Sequence, residues 1–312
     1  MIEFKKHTDI DFDKWDHCIE NSLNGLIYPY SFYLNQVSPK WDALVYGDYE
    51  AVMPLPGKKK YGIAYILQPP FIQQLGVFSA FPADETLVNA FISAIPAQFR
   101  YIILNLNTYN PISSQIQGAN QQRRTFELDL IAPYDEIRKG YSGQTIRNLK
   151  KAEKEKVFVT SNADPNPIIE TFRENRGKNI SHLKTSQYET LKHLIYSGIH
   201  RGNTKVYSAY NAQNTFCAGI VFFNSHKKSI LIFSGSTPEA RKNGAMTAII
   251  DSYIQNHSGK NITLDFEGSM QNSLARFYSG FGSKECVFLQ IEINNFPFLL
   301  KPIAKWYFLA KK

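Results

Sequence analysis

The spacing of apolar positions changes repeatedly along the chain, and each change marks an element. Ile2–Lys5 opens as a short strand, and over 11–22 Phe12, Trp15, Cys18 and Ile19 recur every three to four residues, which predicts a helix. Ala43-Leu44-Val45-Tyr46 and Ala51-Val52-Met53 are strand-like runs flanking the turn at Gly47-Asp48, and 63–67 is a third such run, stopped by Pro69-Pro70. A helix is predicted over 84–95 and a buried strand over 101–106.

Beyond residue 125 the pattern sharpens. Phe126, Leu128 and Leu130 alternate with Glu127 and Asp129, as in a half-buried strand. Over 142–156 the period lengthens to that of a helix with Ile146, Leu149 and Ala152 on one face, and further helices are predicted over 167–175 and 187–198. Three strands follow at 205–210, 215–223 and 229–234, joined by Asn- and Ser-rich turns that suit an antiparallel meander. The second and third are apolar on both faces, which places them mid-sheet. A helix from Pro238 to about 255 buries Ala245, Met246, Ile249, Ile250, Tyr253 and Ile254. A strand at 262–266, a helix at 270–279 and a strand pair within 286–293 follow. This interleaving predicts an α/β (α+β) fold with mixed sheets flanked by helices, and excludes a bundle or a sandwich.

Composition narrows the class. With 312 residues, 43% hydrophobic and 20% charged, the chain can fill two ordinary domains or one large one, so wholesale disorder is excluded. No apolar run reaches the roughly 18 residues of a membrane-spanning helix, and the N-terminus has no secretory pattern, so a cytoplasmic protein is expected. Cys18, Cys217 and Cys286 are too few and too far apart for a disulfide framework or a zinc cluster. Residues 1–121 hold 8 Lys+Arg against 11 Asp+Glu, whereas 122–312 hold 27 against 16. The Asn-, Gln-, Ser-, Gly- and Pro-rich segment 107–122 coincides with this shift, so the domains are drawn as 1–121 and 122–312. A basic second half suits an anionic partner, and equally suits solubility alone.

There is no dinucleotide-binding glycine fingerprint, P-loop, HExxH or GxSxG, and the seven scattered histidines have no metal-ligand spacing. Three features stand out. At the strand-to-helix junction 234–246, Gly235 and Gly244 allow close backbone approach, Arg241 and Lys242 add charge, and the helix start offers unbonded N–H groups. Together these would cradle a phosphate or pyrophosphate; an ordinary helix capped by Ser236 or Thr237 is the alternative. Asp265 and Glu267, two apart at a strand end before Gly268, would point the same way and perturb each other's pKa, which suits proton transfer. Equally, Glu267 or Ser269 caps the next helix and Asp265 bonds a neighbouring loop. The helix 142–156 sets Arg147 with Lys151, and Lys150 with Lys154, as like-charge i,i+4 pairs. Such a face presents charge to an anion, or is a solvated face offset by Glu153 and Glu155. The tail 298–312 is apolar and basic, with Lys301, Lys305, Lys311 and Lys312. Packing onto its own domain is expected, with peripheral contact to an anionic membrane as the alternative.

The run Ser142-Gly143-Gln144-Thr145-Ile146-Arg147-Asn148-Leu149-Lys150-Lys151-Ala152-Glu153-Lys154 resembles the basic helix of Fem-type peptidyltransferases and their GNAT-related acyltransferase cousins. So do Leu264-Asp265-Phe266-Glu267-Gly268-Ser269, Ala275-Arg276-Phe277-Tyr278 and Phe281-Gly282. The resemblance covers about 126–293 and is weak before 122. It implies two GNAT-like domains, each a mixed central sheet flanked by helices, the first degenerate and the second carrying the site. It also implies transfer of an acyl or aminoacyl group from an activated donor to an amine, without a covalent enzyme intermediate. On this resemblance Arg241, Lys242, Asn243, Gly244 and Ala245 hold the donor, and Arg147, Lys150, Lys151 and Lys154 hold an anionic substrate. Asp265 and Glu267 orient the acceptor or accept its proton, and Tyr278 gives a proton to the leaving group. Met246 stands where the coenzyme A loop has a small residue, so acyl-CoA and aminoacyl-tRNA both stay open as donors. A non-catalytic module that binds an anionic polymer, lipid or nucleic acid is the alternative, and the oligomeric state is open.

Overall fold

The computed structural model describes residues 1–113, 119–180, 183–268 and 270–309. Contacts divide the chain into two compact units, Met1–Arg123 with Val287–Lys312, and Arg124–Cys286. Among the described residues no helix is long and apolar enough to cross a membrane.

In the first unit, a four-stranded antiparallel sheet runs in the order Ile2–Lys5, Asp42–Tyr46, Ala51–Leu55, Phe78–Ser79. The helix Phe12–Glu20 starts where Asp11 accepts the Lys14 N–H at 3.1 Å, and it buries Trp15 against Trp41, ring centroids 4.6 Å apart. A second set of strands pairs Gly57–Lys60 with Ile63–Leu67, and the latter with Phe99–Asn105. The strand Gly57–Lys60 escapes a hydrophobicity reading because three of its four residues are lysines.

The division expected at 121/122 differs from the observed one at the C-terminal end. Residues 290–294 pair antiparallel with Tyr101–Asn105, and Phe308 stacks on Tyr101 at 4.7 Å, so this segment returns to the first unit. The strand pair expected within 286–293 is one strand, Lys284–Asn294. The tail helix Lys301–Leu309 packs Ala304 and Phe308 against Tyr65, Tyr101 and Ile103; Lys311 and Lys312 lie outside the described residues.

In the second unit the sheet order is Ala119–Asp129, Thr263–Asp265, Lys228–Ser236, Phe216–Ser225, Thr204–Tyr210, Phe158–Ser161. The all-apolar strands Phe216–Ser225 and Lys228–Ser236 are interior, as their two-faced hydrophobicity requires. One face carries the helix Ala245–His257, which buries Ile249, Ile250, Tyr253 and Ile254 on Tyr207, Phe222 and Leu264. The other carries the helices Asn166–Glu174 and Thr185–His200, at Gly219 and Gly235 beside Ile168 and at Gly198 beside Phe223.

Two features of the strand Lys228–Ser236 set the shape of the space beside it. It is parallel to Thr263–Asp265 and bonded to it only over 228–230, so for its last six residues that neighbour is gone. It also carries a bulge: Val221 faces Phe233 but Phe222 faces Leu231, which leaves Ile232 extra. Strict alternation would put Leu231, Phe233 and Gly235 on one side. The extra residue instead sends Phe233 to the helix Asn166–Glu174, its ring 4.7 Å from that of Phe172, and aligns Ser234 and Ser236 with Leu231.

Candidate functional site

Where the parallel strands part, a cavity of about 670 Å³ opens in the second unit. One wall is the bulged strand, through Leu231, Ser234 and Ser236. A second is the junction after it, Thr237, Pro238, Ala240, Arg241 and Gly244, leading into Met246, Thr247 and Ile250. Leu274, Phe277 and Tyr278 of the helix Asn272–Ser279 close the third side, with Asn148, Phe172, Asn175 and Arg176 at the rim. The volume is that of a small-molecule site.

The junction is not the single helix expected from 238. Thr237 Oγ1 accepts the Ala240 N–H at 3.2 Å at the entry to a one-turn helix, Ala240–Asn243; Gly244 then breaks it at φ +76°, and Ala245–His257 begins. A new helix start inside the junction renews the set of unbonded amides. Asn243 Oδ1 takes the Ala245 N–H at 3.0 Å, and the next two residues, Met246 and Thr247, line the cavity.

The predicted donor-binding residues are therefore divided. Arg241 and Gly244 line the cavity, and Arg241 makes no ion pair among the described residues. Lys242 is exposed and outside the lining. Asn243 is buried, its Nδ2 donating to Cys217 Sγ at 3.2 Å, and Ala245 is buried in the core, so both serve the fold. The glycines also differ from expectation. A Cβ on Gly235 would collide with the Ile168 carbonyl, and one on Gly244 with the Asn148 carbonyl, so each makes room for protein backbone rather than for a ligand.

The acidic pair is separated. Glu267 has φ +51°, which breaks the alternation assumed for a strand end, so its side chain and that of Asp265 part company. Asp265 is 1% exposed and faces away from the cavity lining: Thr125 Oγ1 and the Glu267 N–H donate to its Oδ1, and Lys228 Nζ lies 3.7 Å from Oδ2. Lys228 pairs with Glu127 at 2.6 Å. Burial pushes the Asp265 pKa up, against the pull of Lys228 and with the push of Glu127. Its carboxylate thus locks the turn that follows the strand. Ser269, the alternative cap of the next helix, lies outside the described residues.

Tyr278 lines the cavity with its ring stacked on Phe266 at 5.0 Å. Burial, and then the Glu267 charge, push its phenol up to about 12, while Arg176 pulls the other way. It is a protonated hydrogen-bond donor across the physiological range. Arg147, Lys150, Lys151 and Lys154 lie outside the lining, although Asn148 of the same helix, Gly143–Lys154, reaches it. Arg176 went unnoticed in the sequence because it lies in a short turn, Arg176–Asn179, without periodicity; its Nη2 donates to Gln271 Oε1 at 3.1 Å.

The assembled site has two guanidinium groups, a helix start, four hydroxyls at 234, 236, 237 and 247, one phenol and an apolar floor. Among the described residues no carboxylate or imidazole lines it. Such a site holds an anion at one end and an apolar or carbonyl-bearing group at the other.

The whole chain can be placed beside solved structures. FemX superposes with a TM-score of 0.62 at 12% identity, covering 97% of this chain and 99% of that one. The chain has a Fem-type fold. The Fem-type likeness implied by the sequence thus holds at the level of the fold, and in this chain that fold contains the bulged strand that parts from its parallel neighbour. Similar folds include a protein of unknown function from Bacteroides thetaiotaomicron (TM-score 0.54, 10% identity, 94% and 99% covered) and L-PGS from Bacillus licheniformis (0.50, 10%, 94% and 94%). No family profile and no curated protein matches the sequence.

Proposed function

We propose that this protein transfers an acyl or aminoacyl group from an activated donor to an amine. The observation that carries the reading is the cavity at the parting of the parallel strands, where the start of the helix Ala245–His257, Arg241 and Tyr278 face one space. An amine nitrogen attacks the donor carbonyl there, and the tetrahedral oxyanion is held by N–H groups and nearby positive charge. The bond from the carbonyl carbon to the carrier then breaks. Tyr278 gives a hydrogen bond, and at the limit its proton, to the departing atom, while the amine's proton leaves to water, since no carboxylate or imidazole is among the described lining residues.

The donor we favour is an aminoacyl ester on tRNA, with acyl-CoA as the alternative. A phenol near 12 is matched to an alkoxide leaving group rather than to a thiolate, whose conjugate acid ionises near 8.5. The cations Arg147, Lys150, Lys151 and Lys154 stand on a helix that reaches the cavity through Asn148, and suit a long polyanion. For coenzyme A, the helix start and Arg241 would meet the pyrophosphate.

The test is donor consumption by the purified protein, with mixed aminoacyl-tRNA and with acetyl-CoA, in the presence of peptide amines. Binding is followed as a function of salt. Aminoacyl-tRNA should bind with a steep salt dependence that flattens when Lys150, Lys151 and Lys154 become Gln; calorimetric binding of coenzyme A lost in Arg241→Ala would favour the alternative. Absence of both donor binding and donor consumption would remove the reading. A second reading, a module that holds an anionic ligand without chemistry, is favoured by the absence of a carboxylate or imidazole from the described lining. Binding without any transfer would select it.

A further inference from the structure

The C-terminal helix Lys301–Leu309 and the turn Phe298–Leu300 before it have two apolar faces rather than one. The inner face, Ala304 and Phe308, is 7% and 3% exposed and packs on Tyr65 and Tyr101. The outer surface carries Phe298 at 85% exposure, Leu299 at 83%, Leu300 at 47%, Ile303 at 63% and Trp306 at 73%. A surface helix normally turns charged residues outward. Here the outward positions are large hydrophobes, and a contiguous patch of this kind marks an interaction surface.

The charges around the patch say what it meets. The segment 298–309 contains Lys301 and Lys305 and no acidic residue. The helix rides on the sheet face that carries Tyr65, and the pairing of Lys58 with Tyr65 places the exposed Lys58, and with it Lys60, on that face. Exposed Tyr61 stands at the end of the same hairpin, with Lys60 Nζ 5.0 Å from its ring centroid. Glu292 faces this set; it pairs with Lys305 at 3.1 Å and accepts from the Tyr101 hydroxyl at 2.8 Å. A ridge of Phe, Leu, Ile and Trp, flanked by lysines with a Tyr beside it, has the composition of a helix lying in a bilayer interface: aliphatic groups enter the acyl boundary, Trp and Tyr sit at headgroup level, and lysines reach the lipid phosphates. A single helix standing on a sheet is also a ridge, which suits a soft, flat phase better than a shape-matched protein groove.

We infer that the outer face of the segment 298–309 is a docking surface for an anionic lipid bilayer, on which the first unit lies without spanning it. This is independent of the transfer chemistry, since no residue of the cavity takes part.

The chain carries its own reporter. Of its three tryptophans, Trp15 and Trp41 are 0% exposed and Trp306 is 73% exposed, so a change in fluorescence on adding vesicles reports Trp306. The full chain is titrated with vesicles of phosphatidylcholine containing about 30% phosphatidylglycerol, and with phosphatidylcholine alone, following emission and co-sedimentation. Expected are co-sedimentation with the anionic vesicles, a blue shift, and weakening by about fivefold for each of Lys301→Gln and Lys305→Gln. The double variant Leu299→Ser/Ile303→Ser should bind at least about tenfold more weakly. Trp306→Phe should keep binding and lose the shift. All these positions are exposed, and an unchanged melting temperature verifies that the variants fold. The inference is overturned by failure to bind anionic vesicles, by binding indifferent to Leu299→Ser/Ile303→Ser, or by lipid-free self-association that itself shifts Trp306, which would give the face to a second copy.

Discussion

Replacing Gly244 with Ala separates two roles that a glycine at such a junction can have. If it exists to let a ligand approach, Ala weakens donor binding and leaves the fold intact. The structure points the other way. Gly244 has φ +76°, where an L residue costs roughly 1–2 kcal/mol. Its added Cβ would lie closer than 3.0 Å to the Asn148 carbonyl oxygen and 3.4 Å from the Ala152 Cβ. Neither the helix Gly143–Lys154 nor the start of Ala245–His257 can yield without disturbing the other, and overpacking of this kind costs about 1–3 kcal/mol. Ala also restricts the unfolded chain, which returns about 0.4–1 kcal/mol. The net loss should be about 2–4 kcal/mol, read as a fall in the urea midpoint at constant m. Gly235→Ala shares the collision, with the Ile168 carbonyl, but not the positive φ, so after the same unfolded-chain gain it should lose about 0–2.5 kcal/mol. A Gly244→Ala variant with an unchanged midpoint and impaired donor binding would refute the packing argument.

Other perturbations probe the remaining parts. Tyr278→Phe keeps the stack on Phe266 and loses only a hydroxyl without a hydrogen bond among the described residues; kcat should fall by about 10²–10⁴, with donor affinity and melting temperature unchanged. Because burial holds that phenol near 12, the wild-type rate should show no falling limb from it up to about pH 11. Arg176→Ala and Arg241→Ala should each weaken an anionic donor by about 10- to 100-fold in a direct titration, since each removes a charged hydrogen-bond donor from the cavity. Lys228→Met should cost about 3–5 kcal/mol in chemical denaturation, because it strands Glu127 and Asp265 without a counter-charge. Asp265 has its folded pKa raised above the unfolded one, so the native state holds the extra proton between the two values. Stability should therefore decline as pH rises through that window and level off above it. Asp265→Asn should remove that slope, and a slope of the same size in the variant would discount the assignment.

Local pattern alone determined a great deal here. The helix Gly143–Lys154, the meander of three strands and the interior place of Phe216–Ser225 follow from which residues are apolar and at what spacing, because helix and strand geometry repeat every few residues. The coincidence of a glycine-bearing basic junction with Tyr278 was also legible, as a set of residue types of the right chemistry. What side each side chain takes was not. One extra residue, Ile232, swaps the faces of everything after it, and so decides that Ser234 and Ser236, not Phe233, see the cavity. Asp265 appears as a site residue in the sequence, but its partner Thr125 is 140 residues away, and only the folded sheet shows that the pair is buried on the other face. Gly244 reads as an opening for a ligand until the Asn148 carbonyl is seen behind it. The return of 287–309 to the first unit likewise rests on pairing with Phe99–Asn105. The physical reason is the same in each case. Period and propensity act over a few residues, whereas register, burial of charge and close backbone approach are set by segments that meet only when the chain has folded.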